Sequence, residues 1–197
     1  DEPKVLFLPS GKGLQFKKDM GLLIKEIVAE IQKSFKSKEY EDLARKILQD
    51  YEQKKNKASV DIESFARENG FVLKQTVTGI AVLPFLNDRI LSDEEYEQLP
   101  DEKKEGLAGK EETIQEKLDD TLRQIKELDR EEKERLKDLD EKVALFAVGH
   151  LIEEVKGLYE EFNEIKDHLD QIEEDILENL DIFKREKKES EFHLIET

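Results

Sequence analysis

The side chains best equipped for chemistry in this sequence are a lysine in a glycine turn, Gly11-Lys12-Gly13, three histidines, and many adjacent carboxylates. Glycine amides and a lysine can cradle phosphate. The spacing Gly-x-x-x-x-Gly-Lys-Ser/Thr is absent, however, and Leu14 stands where a hydroxyl would hold magnesium. Lys12 therefore reads as part of a turn that starts the first helix. His150, His168 and His193 fall in no His-Glu-x-x-His or Glu-x-x-His pattern, so no helix face offers the ligand pair of a zinc or di-iron site. His150 reads as a core or interface histidine, and the adjacent Gly149 as a point of close helix contact. Glu153-Glu154 and Glu173-Glu174 are the kind of pair that 50 acidic residues produce by chance, on solvated faces. With no cysteine there is neither a thiolate nucleophile nor a disulfide framework, and no EF-hand loop or Gly-x-Ser-x-Gly elbow occurs. The residues predict no catalytic site, no metal and no cofactor, so this chain is not expected to be an enzyme.

Composition narrows the class further. Of 197 residues, 37% are hydrophobic and 42% charged, which is too polar for a compact globule but suits helices that bury one narrow stripe. Elongation follows. A net charge of −17 repels phosphate backbones and anionic headgroups, so neither nucleic acid nor a membrane is expected as a partner. No apolar run reaches the ~18 residues of a membrane span. The lack of cysteine fits the cytoplasm, which is the expected location. The chain begins at Asp1 and its single methionine, Met20, lies inside an apparent helix, so it reads as a piece of something longer.

The elements follow from periodicity and punctuation. Lys4–Leu8 reads as a short strand closed by Pro9-Ser10-Gly11. Phe16, Met20, Leu23, Ile27, Ile31 and Phe35 mark one helical face over 14–35. Ser37 is a candidate N-cap for a helix over 38–69, which stops at Asn69-Gly70. Phe71–Leu73 and Ile80–Leu83 flank Thr78-Gly79 and predict a β-hairpin, with Pro84 ending or edging its second strand. Ser92-Asp93-Glu94-Glu95 has the capping-box form, on a helix that Pro100 and Gly106 limit to a turn or two. Beyond Gly109 a long helical seam runs through Ile114, Leu118, Leu122, Ile125, Leu128, Leu136, Leu139, Val143 and Phe146. Pairs Asp129/Lys133, Glu131/Arg135 and Asp138/Lys142 are spaced to bridge at i,i+4. The gap from Leu128 to Leu136 predicts local unwinding of a supercoil. The apolar run 145–152 is expected to be buried on more than one side, and a last helix carries Phe162, Ile165, Leu169, Ile172, Ile176 and Leu180. The polar segment 184–190 should fray.

Two long single-stripe helices joined by a short connection must run back antiparallel, because each stripe needs a partner stripe to bury it. The predicted fold is mainly α: a helical base from residues 1–37 and 144–197, a long antiparallel coiled-coil arm from 38–70 and 107–143, and a small tip, 71–106, containing the hairpin. The charged arm offers a partner little apolar area. The tip is too small to bury Phe71, Val72, Ile80, Val82, Phe85 and Ile90 together, so these are the candidate partner-binding residues. The competing reading is that the hairpin only closes the arm and packs those side chains on the helix ends.

The order Leu8-Pro9-Ser10-Gly11-Lys12-Gly13-Leu14 with Phe16 and Asp19-Met20, then Gly70-Phe71-Val72-Leu73 with Thr76 to Gly79, then Phe146 to Glu154, then Glu178-Asn179-Leu180-Asp181, resembles one known region. It is the helical, coiled-coil-containing segment that interrupts the AAA-type module of Lon-related ATP-dependent proteases. The resemblance runs from about Lys4 to Phe183. It implies an accessory domain of a ring-forming serine endopeptidase, whose partners are protein substrates or neighbouring subunits. The family's phosphate loop and Ser–Lys dyad lie outside this segment, so no catalytic residue carries over. From the residues alone, a free-standing coiled-coil scaffold or holdase remains the alternative.

Overall fold

The computed structural model describes residues 6–77, 79–86 and 89–184 and is 79% helical. In chain order the elements are α1 (Lys12–Phe35), α2 (Lys38–Glu68), β1 (Phe71–Thr76), β2 (Gly79–Leu86), β3 (Arg89–Ile90), α3 (Asp93–Glu97), α4 (Asp101–Leu158), α5 (Asn163–Glu178) and α6 (Leu180–Lys184). The protein is mainly α with one small antiparallel sheet, and α4, at 58 residues, has the length of a helical arm. The chain divides into two compact units, 1–46 with 135–197 and 47–134.

Local signals set most boundaries. The Ser37 hydroxyl accepts the Tyr40 amide at 3.2 Å and caps α2. Ser92 accepts the Glu95 amide while the Glu95 carboxylate accepts the Ser92 amide, a complete capping box on α3. Pro100 does stop α3, but its carbonyl accepts the amides of Lys103 and Lys104 and so opens α4 at once. The acidic Asp101 and Glu102 favour that start by complementing the helix dipole.

Gly106 and Gly109 therefore lie inside α4 and do not end or precede it. A glycine in an exposed helix costs only about 1 kcal/mol relative to alanine, too little to break a helix with packed residues on both sides. A Cβ at either position meets nothing within 4 Å. Gly106→Ala and Gly109→Ala are each expected to stabilise the fold by about 0.5–1 kcal/mol, read as a raised denaturation midpoint in urea.

Other expectations are corrected. Lys4 and Val5 lie outside the described residues, and Leu6–Leu8 form no strand; Leu8 packs on the first unit's core while Phe7 is exposed. A lone five-residue run has no sheet to join. Among the described residues none of the three expected i,i+4 ion pairs forms. Asp129 instead meets Lys55 of α2 at 2.8 Å, which ties two helices together and not one turn to the next. Of the segment expected to fray, Lys184 ends α6 and 185–190 lies outside the described residues, as do Thr78 of the hairpin turn and His193.

The core of the first unit is built from Leu23, Ile27 and Ile31 of α1, Ala144, Val148 and Ile152 of α4, and Ile165, Leu169 and Ile176 of α5. The α4 stripe is single-sided, so the run 145–152 is not buried all round. Leu145 and Phe146 face solvent, Phe146 at 89% exposure, because 146 lies about 160–200° around the helix from 144 and 148. His150 is exposed on the same grounds, not a core residue. Gly149 makes no close helix contact either: an added Cβ would meet only the Glu173 carboxylate, at 3.9 Å.

Polar links fasten this unit's helices. Lys156 of α4 reaches Asp170 of α5 and Glu153, both at 2.6 Å, and these carboxylates hold its ammonium charged to higher pH than usual. Asp140 accepts the Tyr40 hydroxyl at 2.8 Å and pairs with Lys184, which also lies over the Phe35 ring. Burial, and then Asp140, raise the Tyr40 phenol above its ordinary range. Tyr159, 2% exposed, donates to Asp19 of α1 at 2.7 Å and packs edge-on against Phe16.

Burial first and the Asp19 carboxylate second push the Tyr159 phenol up from 10.0 to about 12. A folded-state pKa above the unfolded one means that the neutral phenol's contribution is complete below pH 10 and is lost as pH rises through about 12. Tyrosinate absorbance near 295 nm is expected to show a late step close to pH 12 that disappears in Tyr159→Phe. An unchanged titration curve in that variant would contradict the buried hydrogen bond.

Candidate functional site

The feature that departs from a plain helical packing is the sheet of the second unit. α2 ends where Asn69 donates its side-chain amide to the Phe65 carbonyl at 2.8 Å and Gly70 takes a left-handed φ of 84°. That conformation, costly for residues with a Cβ, turns the chain directly into β1. β1 pairs antiparallel with β2, Phe71 opposite Pro84 and Thr76 opposite Gly79. β2 pairs with the two-residue β3, a strand the sequence did not disclose. Pro84 thus sits within β2 and does not end it. Its ring nitrogen lies on the β3 side, where its carbonyl accepts the Leu91 amide but no return bond can form, so it terminates the short β2–β3 ladder.

The register sorts the candidate residues onto two faces, since directly opposed residues share a face and neighbours alternate. Phe71, Leu73, Ile80 and Val82 face the helices. Phe71 is fully buried and Val82 nearly so, in a cluster with Ile62 and Ala66 of α2 and Ile114 and Leu118 of α4. Neither side chain lies at the surface. The hairpin lays these two side chains on α2 and α4. Ile80, on the same face, is half-buried. Val72, Phe85 and Ile90 lie on the opposite face, Val72 and Phe85 half-buried and Ile90 exposed.

Two hollows flank β1. The larger, about 390 Å³, lies between Ile62 and Glu63 of α2, Leu73 and Ile80 of the hairpin, and Leu122 and Ile125 of α4. The smaller, about 270 Å³, lies between Val60, Glu63 and Arg67 of α2 and Val72 and Leu73 of β1. Glu63 and Leu73 line both, so the two adjoin along the outer edge of β1. Glu63 is the single charged lining residue of the larger hollow, and it makes no ion pair or side-chain hydrogen bond among the described residues. Sequence reading missed Val60, Glu63, Leu122 and Ile125 as site residues. The available signal was that exposed Val60 falls off the stripe through Ala58, Ile62 and Phe65.

The helix pair beneath is held by charge as well as by the apolar seam. Lys55 meets Asp129 and Glu132 at 2.8 Å each, and these bonds raise its pKa. Lys117 stands 3.9 Å over the Phe65 ring, a cation–π contact. Among the described residues no group of three or more histidine or carboxylate side chains could hold a metal ion, and no helix is long and apolar enough to cross a membrane. Lys12 is exposed at the start of α1, its amide bonded to the Pro9 carbonyl at 3.0 Å in an ordinary turn. The arrangement sets mixed apolar and polar recesses, with the unpaired Glu63 carboxylate, beside a strand edge.

A family model described as the Lon-like LonC helical domain matches residues 1–22. That stretch holds the Leu8–Leu14 turn and the first half of α1, so the first of the four sequence signatures falls inside the match and the other three outside it. No curated protein and no solved structure matches the chain.

Proposed function

We propose that this chain is an accessory helical domain of a Lon-like ATP-dependent protease, inserted in an AAA-type module, which engages protein substrates or neighbouring subunits through its second unit. The observation that carries the reading is the match of residues 1–22 to the Lon-like LonC helical domain. The predominantly helical fold with a small sheet agrees with it. In this reading residues 38–70 and 107–143 are the arm and 71–106 the tip, the chain has no catalytic residue, cofactor or metal, and the ATP-dependent serine endopeptidase activity belongs to the rest of a cytoplasmic, oligomeric parent.

The physical rationale for engagement is the second unit's outer apolar surface. Val72, Phe85 and Ile90 expose side chains of the kind that non-native proteins also expose, and their pairing removes both from water. The test uses the full-length polypeptide that contains this chain, with Phe85→Ser and Ile90→Ser combined. Degradation of an unfolded protein is expected to fall at least tenfold while cleavage of a short fluorogenic peptide stays within twofold. Equal effects on both substrates, or none on either, would remove substrate engagement. A full-length polypeptide with no nucleotide loop ahead of this chain and no Ser–Lys domain after it would turn the reading to the scaffold or holdase. The purified chain alone is expected neither to hydrolyse ATP nor to cleave casein; turnover abolished by Lys12→Ala would contradict that.

A further inference from the structure

We propose that the free edge of β1 receives an extended segment of a non-native polypeptide as an added strand, with apolar side chains in the two hollows and a lysine or arginine paired to Glu63. The proposal rests on the substrate-engaging reading and specifies its site and chemistry.

The backbone makes the first argument. In an antiparallel ladder, residues alternate between pointing their N–H and C=O at the partner strand and away from it. The Phe85 amide donates to the Gly70 carbonyl at 2.7 Å, which places 70 and 85 opposite one another as a bonded pair. By alternation Val72, Lys74 and Thr76 turn their backbone groups to β2, while Phe71, Leu73 and Gln75 turn theirs outward; Phe71 is fully buried, so the accessible part of that row is Leu73 and Gln75. β1 is an edge strand, and no other backbone group among the described residues bonds to that outward row. Unpaired edge groups are a template for one more strand at a spacing of about 4.8 Å.

Side chains make the second. The outward row runs between the two hollows, which share Leu73 and Glu63. A strand laid on the edge would point successive side chains alternately to the helix side, into the larger hollow beside Ile62, Ile80 and Leu122, and to the other side, toward Val60 and Val72. The larger hollow mixes apolar side chains with Ser59, Gln75 and Thr121, and Glu63 is its one charged lining residue, unpaired among the described residues even with Arg67 of the smaller hollow, in a chain of net charge −17. Charge complementarity therefore selects a segment that mixes apolar residues with lysine or arginine over an acidic one.

The test measures binding of a fluorescent decapeptide alternating isoleucine and lysine to the intact chain. The same peptide methylated on alternate backbone nitrogens, in both registers, keeps its charge but loses one row of donors. One of the two methylated forms is expected to bind at least tenfold more weakly. Gln75→Pro removes an outward N–H without touching the β2 ladder, as proline is tolerated on an edge, and should weaken binding to a similar degree with the helical spectrum unchanged. A glutamate version of the peptide should bind at least tenfold more weakly than the lysine version, with Glu63→Lys reversing that preference. If both methylated peptides bind as well as the parent, strand addition is wrong, whether or not Gln75→Pro folds. If binding survives the edge changes but is lost with Phe85→Ser and Ile90→Ser, the segment docks on the outer face; the edge is then wrong and the substrate-engaging reading stands. If neither the peptide nor unfolded casein binds at all, both fail.

Discussion

Truncation of Phe71 to alanine is expected to destabilise the sheet unit by roughly 3–5 kcal/mol, whereas Ile90→Ser should change stability by no more than about 0.5 kcal/mol. Phe71 is the largest fully buried side chain of the second unit and touches water nowhere. It bridges two helices and the sheet: Ile62 and Ala66 of α2, Ile114 and Leu118 of α4, and Val82 across the hairpin share its cluster. Removing the ring forfeits its transfer free energy and leaves a void that the neighbouring helices close only in part. Loss should be local, because 47–134 is a unit of its own. Hydrogen exchange is therefore expected to speed up at β1, β2, Ile62–Ala66 and Ile114–Leu118, with protection kept around Ile27, Val148 and Leu169. A Phe71→Ala protein with unchanged exchange at β1 would mean that the sheet is not anchored by this side chain. The contrast with Ile90, also apolar and on the same sheet, separates a core residue from a surface one without reference to any partner.

Phe71 also shows where sequence reading stops. Helical spacing placed α1, α2 and α5 to within a few residues, because a three-and-four stripe reports its own secondary structure. Ser37 and Ser92 disclosed their caps, and Asn69-Gly70 its turn, for the same local reason. The hairpin was legible as a hairpin. Its buried face was not, because Phe71 and Val72 are both apolar, and so are Val82 and Leu83; alternation marks the inner face only when the outer one is polar. A one-residue difference in register decides which of them lies in the core. Gly106, Gly109 and Pro84 misled as punctuation because each sits where its local cost is small: two in a helix packed at both ends, one where a two-residue strand runs out. The hollows beside β1 were beyond reach altogether. They join Glu63, Leu73 and Leu122, which only tertiary packing brings together.

The largest single effect is expected at Val148, two residues from the most exposed large apolar side chain of the same helix turn. Val148 is fully buried among α1 and α5, while Phe146 is 89% exposed. Val148→Asp puts a carboxylate where no described side chain is buried with a charge to meet it, since no charged residue among those described is buried in the first unit's core. Desolvation raises the pKa of such a group by up to ~3–5 units. The sign follows from the raised folded-state value: the charge penalty is absent below the unfolded pKa of about 3.9 and grows by about 1.4 kcal/mol for each pH unit until the folded pKa is reached. At pH 7 the cost then amounts to roughly 4 kcal/mol from charge alone, before the loss of valine packing is counted, which is enough to unfold a domain of ordinary stability. Thermal melts followed by circular dichroism should find the first unit unfolded or nearly so in Val148→Asp at pH 8, and measurably recovered at pH 6, relative to the unmodified protein at each pH. Phe146→Asp should melt within about 0.5 kcal/mol of the original at both. If both variants are tolerated alike, the α4 stripe through Ala144, Val148 and Ile152 is not the buried one; if both unfold, Phe146 is covered by something other than water.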